Sequence, residues 1–72
     1  MTMSVYARQG EPLGERERQV LAALVDGLSN KEIARQLGST TDTVTHQLKM
    51  AYRKIGARNR THAAVLVERG EV

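Results

Sequence analysis

Between Thr40 and Arg60 this 72-residue chain gathers side chains suited to holding a polyanion. Thr40, Thr41, Thr43 and Thr45 supply short hydroxyls, each able to donate and accept, and His46 and Lys49 follow closely. Hydroxyls and cations at this density suit phosphate oxygens, and a lysine one helical turn beyond Thr45 can donate to guanine acceptors. Arg53, Lys54, Arg58 and Arg60 extend the positive charge. The net charge of +3 is strongly segregated: residues 43–67 hold five basic residues (Lys49, Arg53, Lys54, Arg58, Arg60) and no acid. Residues 1–42 and the last five residues each net −1. A single-sign block of this kind marks either a solvated face or the footprint of a polyanionic partner, and its position on the fold decides which.

Other chemistry finds little support. His46 and His62 fall on different predicted helices, and with no cysteine and no carboxylate pair beside them they make no metal site. There is no glycine-rich phosphate loop, nucleophile elbow or carboxylate pair in a cleft, so neither an enzyme nor a bound cofactor is expected. Tyr6 and Tyr52 are the sole aromatics, which argues against single-stranded nucleic acid, whose sequence-tolerant binders stack bases on aromatic platforms. No apolar run approaches the ~20 residues of a membrane span, and a signal-peptide pattern is missing. The expectation is a soluble, cytoplasmic protein without a membrane partner.

The elements that must position the basic block read as helices throughout. Residues 1–12 show no periodicity and form a tail; residues 13–72 form one domain. Val20, Leu21 and Leu24 share a face of a helix over about 15–26, with Gly14 at its N-cap, Glu17 completing half of a capping box, and Gly27 as its stop. Ser29 and Glu32 make a full capping box for a second helix over 30–37, with an apolar stripe of Ile33, Ala34 and Leu37, closed by Gly38. Thr40 caps a third helix, 41–55, in which Val44, Leu48, Ala51 and Ile55 face inward and Thr45, His46, Lys49 and Arg53 face outward; Gly56 ends it. Tyr52, at the boundary, is expected in the core. Thr61 is the expected cap of a fourth helix over 62–69, and His62 is expected to be passive. The fold class is all-α with four helices.

A short helix, a glycine-led turn and a longer helix with a basic outer face is the pattern of a helix-turn-helix. Its second helix fits the major groove of duplex DNA, with the N-terminal half reaching base edges and exposed N–H groups meeting phosphate. The run Leu13 to Leu21 (LGERERQVL), then Gly27 to Ala34 (GLSNKEIA), Thr43-Val44, and Lys54 to Arg60 (KIGARNR) closely resembles the LuxR/GerE-type DNA-binding domain over about residues 13–70. The chain departs from the family pattern at Gly14, Thr45, His46, Gln47 and Ala51. The resemblance implies a four-helix fold, helices 2 and 3 as the DNA-binding pair, and helix 4 as a dimer contact.

The resulting expectation is a transcriptional regulator specific for double-stranded DNA, dimeric, at the bacterial nucleoid, with RNA polymerase or another regulator as a further partner. Thr45, His46 and Lys49 are the expected base contacts. Thr40, Thr41, Thr43, Arg53, Lys54, Arg58 and Arg60 are the expected phosphate contacts, joined by Asn30 and Lys31 on the family's geometry. Ala63 to Val67 is apolar all round, which independently suggests a homodimer through helix 62–69, with Ala63, Leu66 and Val67 at its interface. Two alternatives remain open: a sigma-factor region 4-like promoter-binding domain, and a protein-interaction module that kept the fold without DNA readout.

Overall fold

The structure, a computed structural model, describes residues 8–72. Four α-helices follow in order: α1 (Glu15–Val25), α2 (Asn30–Leu37), α3 (Thr41–Ile55) and α4 (Arg60–Glu68). The described residues contain no strand. α1 packs against the other three helices and α3 also contacts all three, whereas α2 and α4 do not pack on each other. α1 is thus the back wall, α3 the front, and α2 and α4 the flanks.

Local signals set the boundaries. Gly14 N–H donates to Glu17 Oε1 at 2.8 Å, the half-box available to a residue with no side-chain acceptor. Ser29 and Glu32 form the reciprocal box, at 2.7 Å from Ser29 N–H to Glu32 Oε1 and 3.1 Å from Glu32 N–H to Ser29 Oγ. At the end of α2, Gly38 takes φ 65°, letting Ser39 N–H donate back to Ala34 C=O at 2.8 Å and turning the chain sharply into α3. Thr40 Oγ1 then accepts from Thr43 N–H at 3.1 Å and starts α3.

The fourth helix begins earlier than its sequence suggests. Asn59, not Thr61, is the cap: its Oδ1 accepts from His62 N–H at 2.8 Å, so Arg60 and Thr61 are already helical. Asparagine and threonine both cap well, and the one nearer the turn takes the role because Arg60 is anchored by long-range hydrogen bonds described below. α1 ends at Val25, one residue short of the expected bound.

The core joins Val20, Leu21 and Leu24 of α1, Ile33 of α2, and Val44 and Leu48 of α3. Each helix also buries one alanine: Ala23, Ala34, Ala51 and Ala63, the last two fully. No polar or charged residue is buried among the described residues. Tyr52 packs half-buried against this core. Of the expected tail, residues 1–7 lie outside the described residues; further on, Gly10 N–H donates to Lys54 C=O at 2.8 Å, so this segment is tied to the end of α3.

Candidate nucleic-acid interface

The α2–turn–α3 unit presents the outer face of α3 to solvent. His46, Lys49 and Arg53 are exposed there, Thr45 is half-buried at its edge, and Thr41 and Thr43 stand exposed in the first turn. Thr40 and Thr43 are already paired, Thr40 Oγ1 donating to Thr43 Oγ1 at 2.9 Å, which fixes two hydroxyls at the helix N-terminus where N–H groups point outward. No hydrogen bond within the described residues engages the heads of His46 or Lys49, so both are available to a ligand. Lys31 is exposed on the first turn of α2.

Lys54, Arg60 and Asn30, also expected from sequence at phosphates, have their heads engaged within the chain. Lys54 Nζ meets Glu17 Oε1 at 2.8 Å, with side chains 18% and 15% exposed, on the flank that α3 turns to α1. The Arg60 guanidinium donates to Asn30 Oδ1 at 2.7 Å and to Leu28 C=O at 2.5 Å. Asn30 Nδ2 in turn donates to Thr45 Oγ1 at 3.1 Å. These contacts join the N-terminus of α4, the start of α2 and the reading face of α3. Glu17 is a residue whose place beside the site the sequence did not signal, since its partner lies 37 positions away.

The turn after α3 carries Arg58, which is exposed. His62, expected to be passive, accepts the Arg58 backbone N–H at Nδ1, 3.0 Å, while its own N–H donates to Asn59. Histidine at the third position of a helix whose cap is asparagine is the local signal that could have revealed this brace, because that position commonly returns a side chain to the preceding turn.

Two carboxylates are electrostatically tuned. Partial burial pushes the Glu17 pKa upward, but the Lys54 hydrogen bond, the Gly14 N–H and the Lys54 charge outweigh it and hold it below the usual carboxylate value. Glu32 is lowered by its hydrogen bonds with the Ser29 backbone and side chain, with a smaller contribution from Arg35. Gln47 is different: its Oε1 is enclosed without a hydrogen-bond partner among the described residues.

On α4, Ala63 is fully enclosed within the monomer, which corrects its expected place in a dimer contact: no atom of it is left for a partner. Ala64 and Val67 also pack against the core, and Leu66 remains half-exposed. The helix is less bare than a stretch apolar all round suggested, because α1 covers much of it. Among the described residues no helix is long and apolar enough to cross a membrane, and no cluster of three or more His, Cys, Asp or Glu could hold a metal ion.

A four-helix domain whose α2–turn–α3 unit exposes a basic helix face belongs to the helix-turn-helix class of DNA-binding domains. The profile of GerE, the bacterial regulatory proteins of the luxR family, matches residues 11–67, and this chain belongs to that family. Membership decides between this fold type and the sigma-factor alternative. The chain is 47% identical to the transcriptional regulatory protein LnrK of Bacillus subtilis over 53 residues, 74% of this chain and 24% of that one. It is 41% identical to the transcriptional regulatory protein YdfI of B. subtilis over 59 residues, covering 82% and 28%. It is 37% identical to the nitrate/nitrite response regulator protein NarL of Escherichia coli over 65 residues, covering 90% and 30%. The chain spans about a quarter of the length of the first curated relatives it matches.

Proposed function

We propose that this domain binds promoter DNA as a sequence-specific homodimer in the cytoplasm, at the bacterial nucleoid, with α3 in the major groove. The exposed face of α3 carries the reading: His46, Lys49 and Arg53 stand together on it, inside a stretch of sequence without a single acid. Thr45, His46 and Lys49 contact base edges. Lys31, Thr40, Thr41, Thr43, Arg53 and Arg58 hold phosphates, which fixes register without specifying sequence. Asn30 and Arg60 line the border beside Thr45, and Lys54 stands on the flank turned to α1; their charge and amide protons favour a phosphate chain while their heads keep the helices in place. Leu66 and Val67 supply the apolar part of a contact between two copies, which then read half-sites about one helical turn, or a multiple of it, apart. RNA polymerase or another regulator meets the bound dimer.

Mobility shift with specific and scrambled duplexes across a salt series tests this. With three to five phosphates neutralised per copy, a dimer gives a log–log slope of roughly −5 to −9 and a preference for the specific duplex. Absence of binding at low salt, or a flat salt dependence, would leave the protein-interaction reading in its place.

A further inference from the structure

The three residues linked at the border of the reading face have a fixed direction. Guanidinium groups only donate, so the oxygen of the Asn30 amide must face Arg60, and the 2.7 Å contact has that sense. The Asn30 Nδ2 is thereby turned to Thr45, and Thr45 Oγ1 receives its proton at 3.1 Å. A second bond from Arg60 to the Leu28 carbonyl holds the guanidinium in place, so the amide cannot flip without losing its partner. α2 and α4 do not otherwise pack together, so this link is not a by-product of a shared interface. Thr45 makes no other hydrogen bond among the described residues, so its own hydroxyl proton is unspent.

From this one-way chain we infer that Arg60 and Asn30 are positioning residues that make Thr45 a hydrogen-bond donor toward DNA, so that it selects a base presenting an acceptor. The inference rests on the reading of α3 as the helix in the major groove. There, guanine N7 and O6, adenine N7 and thymine O4 accept, whereas cytosine offers its N4 amino group, a donor. Accepting from Asn30 polarises the Thr45 hydroxyl, which makes it a better donor and a poorer acceptor of a second proton, so it favours the first group over cytosine. The Arg60 charge acts through Asn30 rather than by touching the base.

The test is selection of bound sites from a random duplex pool, followed by competition among single-base-pair variants, for the wild type, Thr45→Val, Asn30→Asp and Lys49→Ala. Wild type should disfavour cytosine at one position, and Thr45→Val should lose that discrimination alone, by roughly three- to ten-fold. Asn30→Asp keeps a partner for Arg60 but places an acceptor beside Thr45; the hydroxyl proton then turns inward, and preference at the same position should move toward cytosine, whose amino group donates. A uniform loss on all duplexes from the added negative charge is separable from this shift. Should Asn30→Asp lose helical circular dichroism, Asn30→Ala, which removes the donor to Thr45, should weaken the same discrimination; a folded variant at position 30 that keeps the full wild-type preference overturns the positioning role. The inference is overturned if Thr45→Val keeps every wild-type preference while Lys49→Ala changes one, a result that leaves DNA reading by α3 intact. Wild type binding all duplexes alike removes both.

Discussion

Lys49 and Arg58 carry like charges but are proposed for different tasks, and their substitutions should separate them. Lys49 stands on the exposed face of α3 and Arg58 on the turn behind it. Lys49→Ala is expected to relax discrimination at one base position at a cost of about 1–3 kcal/mol, whereas Arg58→Ala should weaken binding to every duplex and make the salt slope about one unit shallower. Competition titrations at two salt concentrations read both. The lowered pKa values of Glu17 and Glu32 have a consequence for stability. A carboxylate whose folded value lies below its unfolded value stabilises the fold above the unfolded value, and that contribution is lost as pH falls through the folded one. Urea midpoints should therefore hold steady from neutrality into mild acid and drop below about pH 4.3, with a shallower drop in a Glu17→Gln, Glu32→Gln double variant. Gln47 points the other way: Gln47→Met removes an acceptor that has no partner and should raise stability by about 1 kcal/mol in urea melts.

At the scale of the elements, α4 owes its start to a single side chain. Asn59→Ala should cost about 1 kcal/mol of stability, and Thr61→Ala much less, because only Asn59 accepts a first-turn N–H. Gly56 sits at φ 74°, and a Cβ there would also come within 2.6 Å of the Gln9 side chain, so Gly56→Ala should cost about 1 kcal/mol or more in the same melts. Both positions show which signals sequence carries. The bounds of α2 and α3 are legible because each stop is a glycine in the left-handed region and each start a hydroxyl within three residues of its partner N–H. The start of α4 is not, since Asn59 and Thr61 are both competent caps and the choice involves Arg60 reaching a residue 30 positions away. The exposed heads of His46 and Lys49 follow from helical spacing alone. Glu17 on Lys54 and Arg60 on Asn30 do not, because such pairs exist only after helices distant in sequence have met.

For the whole molecule, the proposed self-association rests on α4. Leu66→Glu or Val67→Glu should convert a sedimenting dimer to a monomer and reduce DNA affinity, while an unchanged monomer mass for wild type and both variants would remove the dimer from the proposal. The body measures 33 × 29 × 19 Å, so a single copy is about as long as one turn of B-DNA, ~34 Å. The buried alanines, one to a helix, bear on how that body evolves. Being the smallest side chains that still favour helix, they set the distance at which α3 stands off the scaffold, and Ala51 lies on α3 itself with none of its surface in water. A core spaced in this way is vulnerable to gained volume more than to lost volume: enlarging Ala51 or Ala23 by a few methylenes would cost about 1–3 kcal/mol. With α3 docked as proposed, it would also shift that helix outward, changing its depth in the groove with no DNA-facing residue altered. On that proposal, operator affinity can drift through substitutions hidden on the side of α3 that faces away from the double helix.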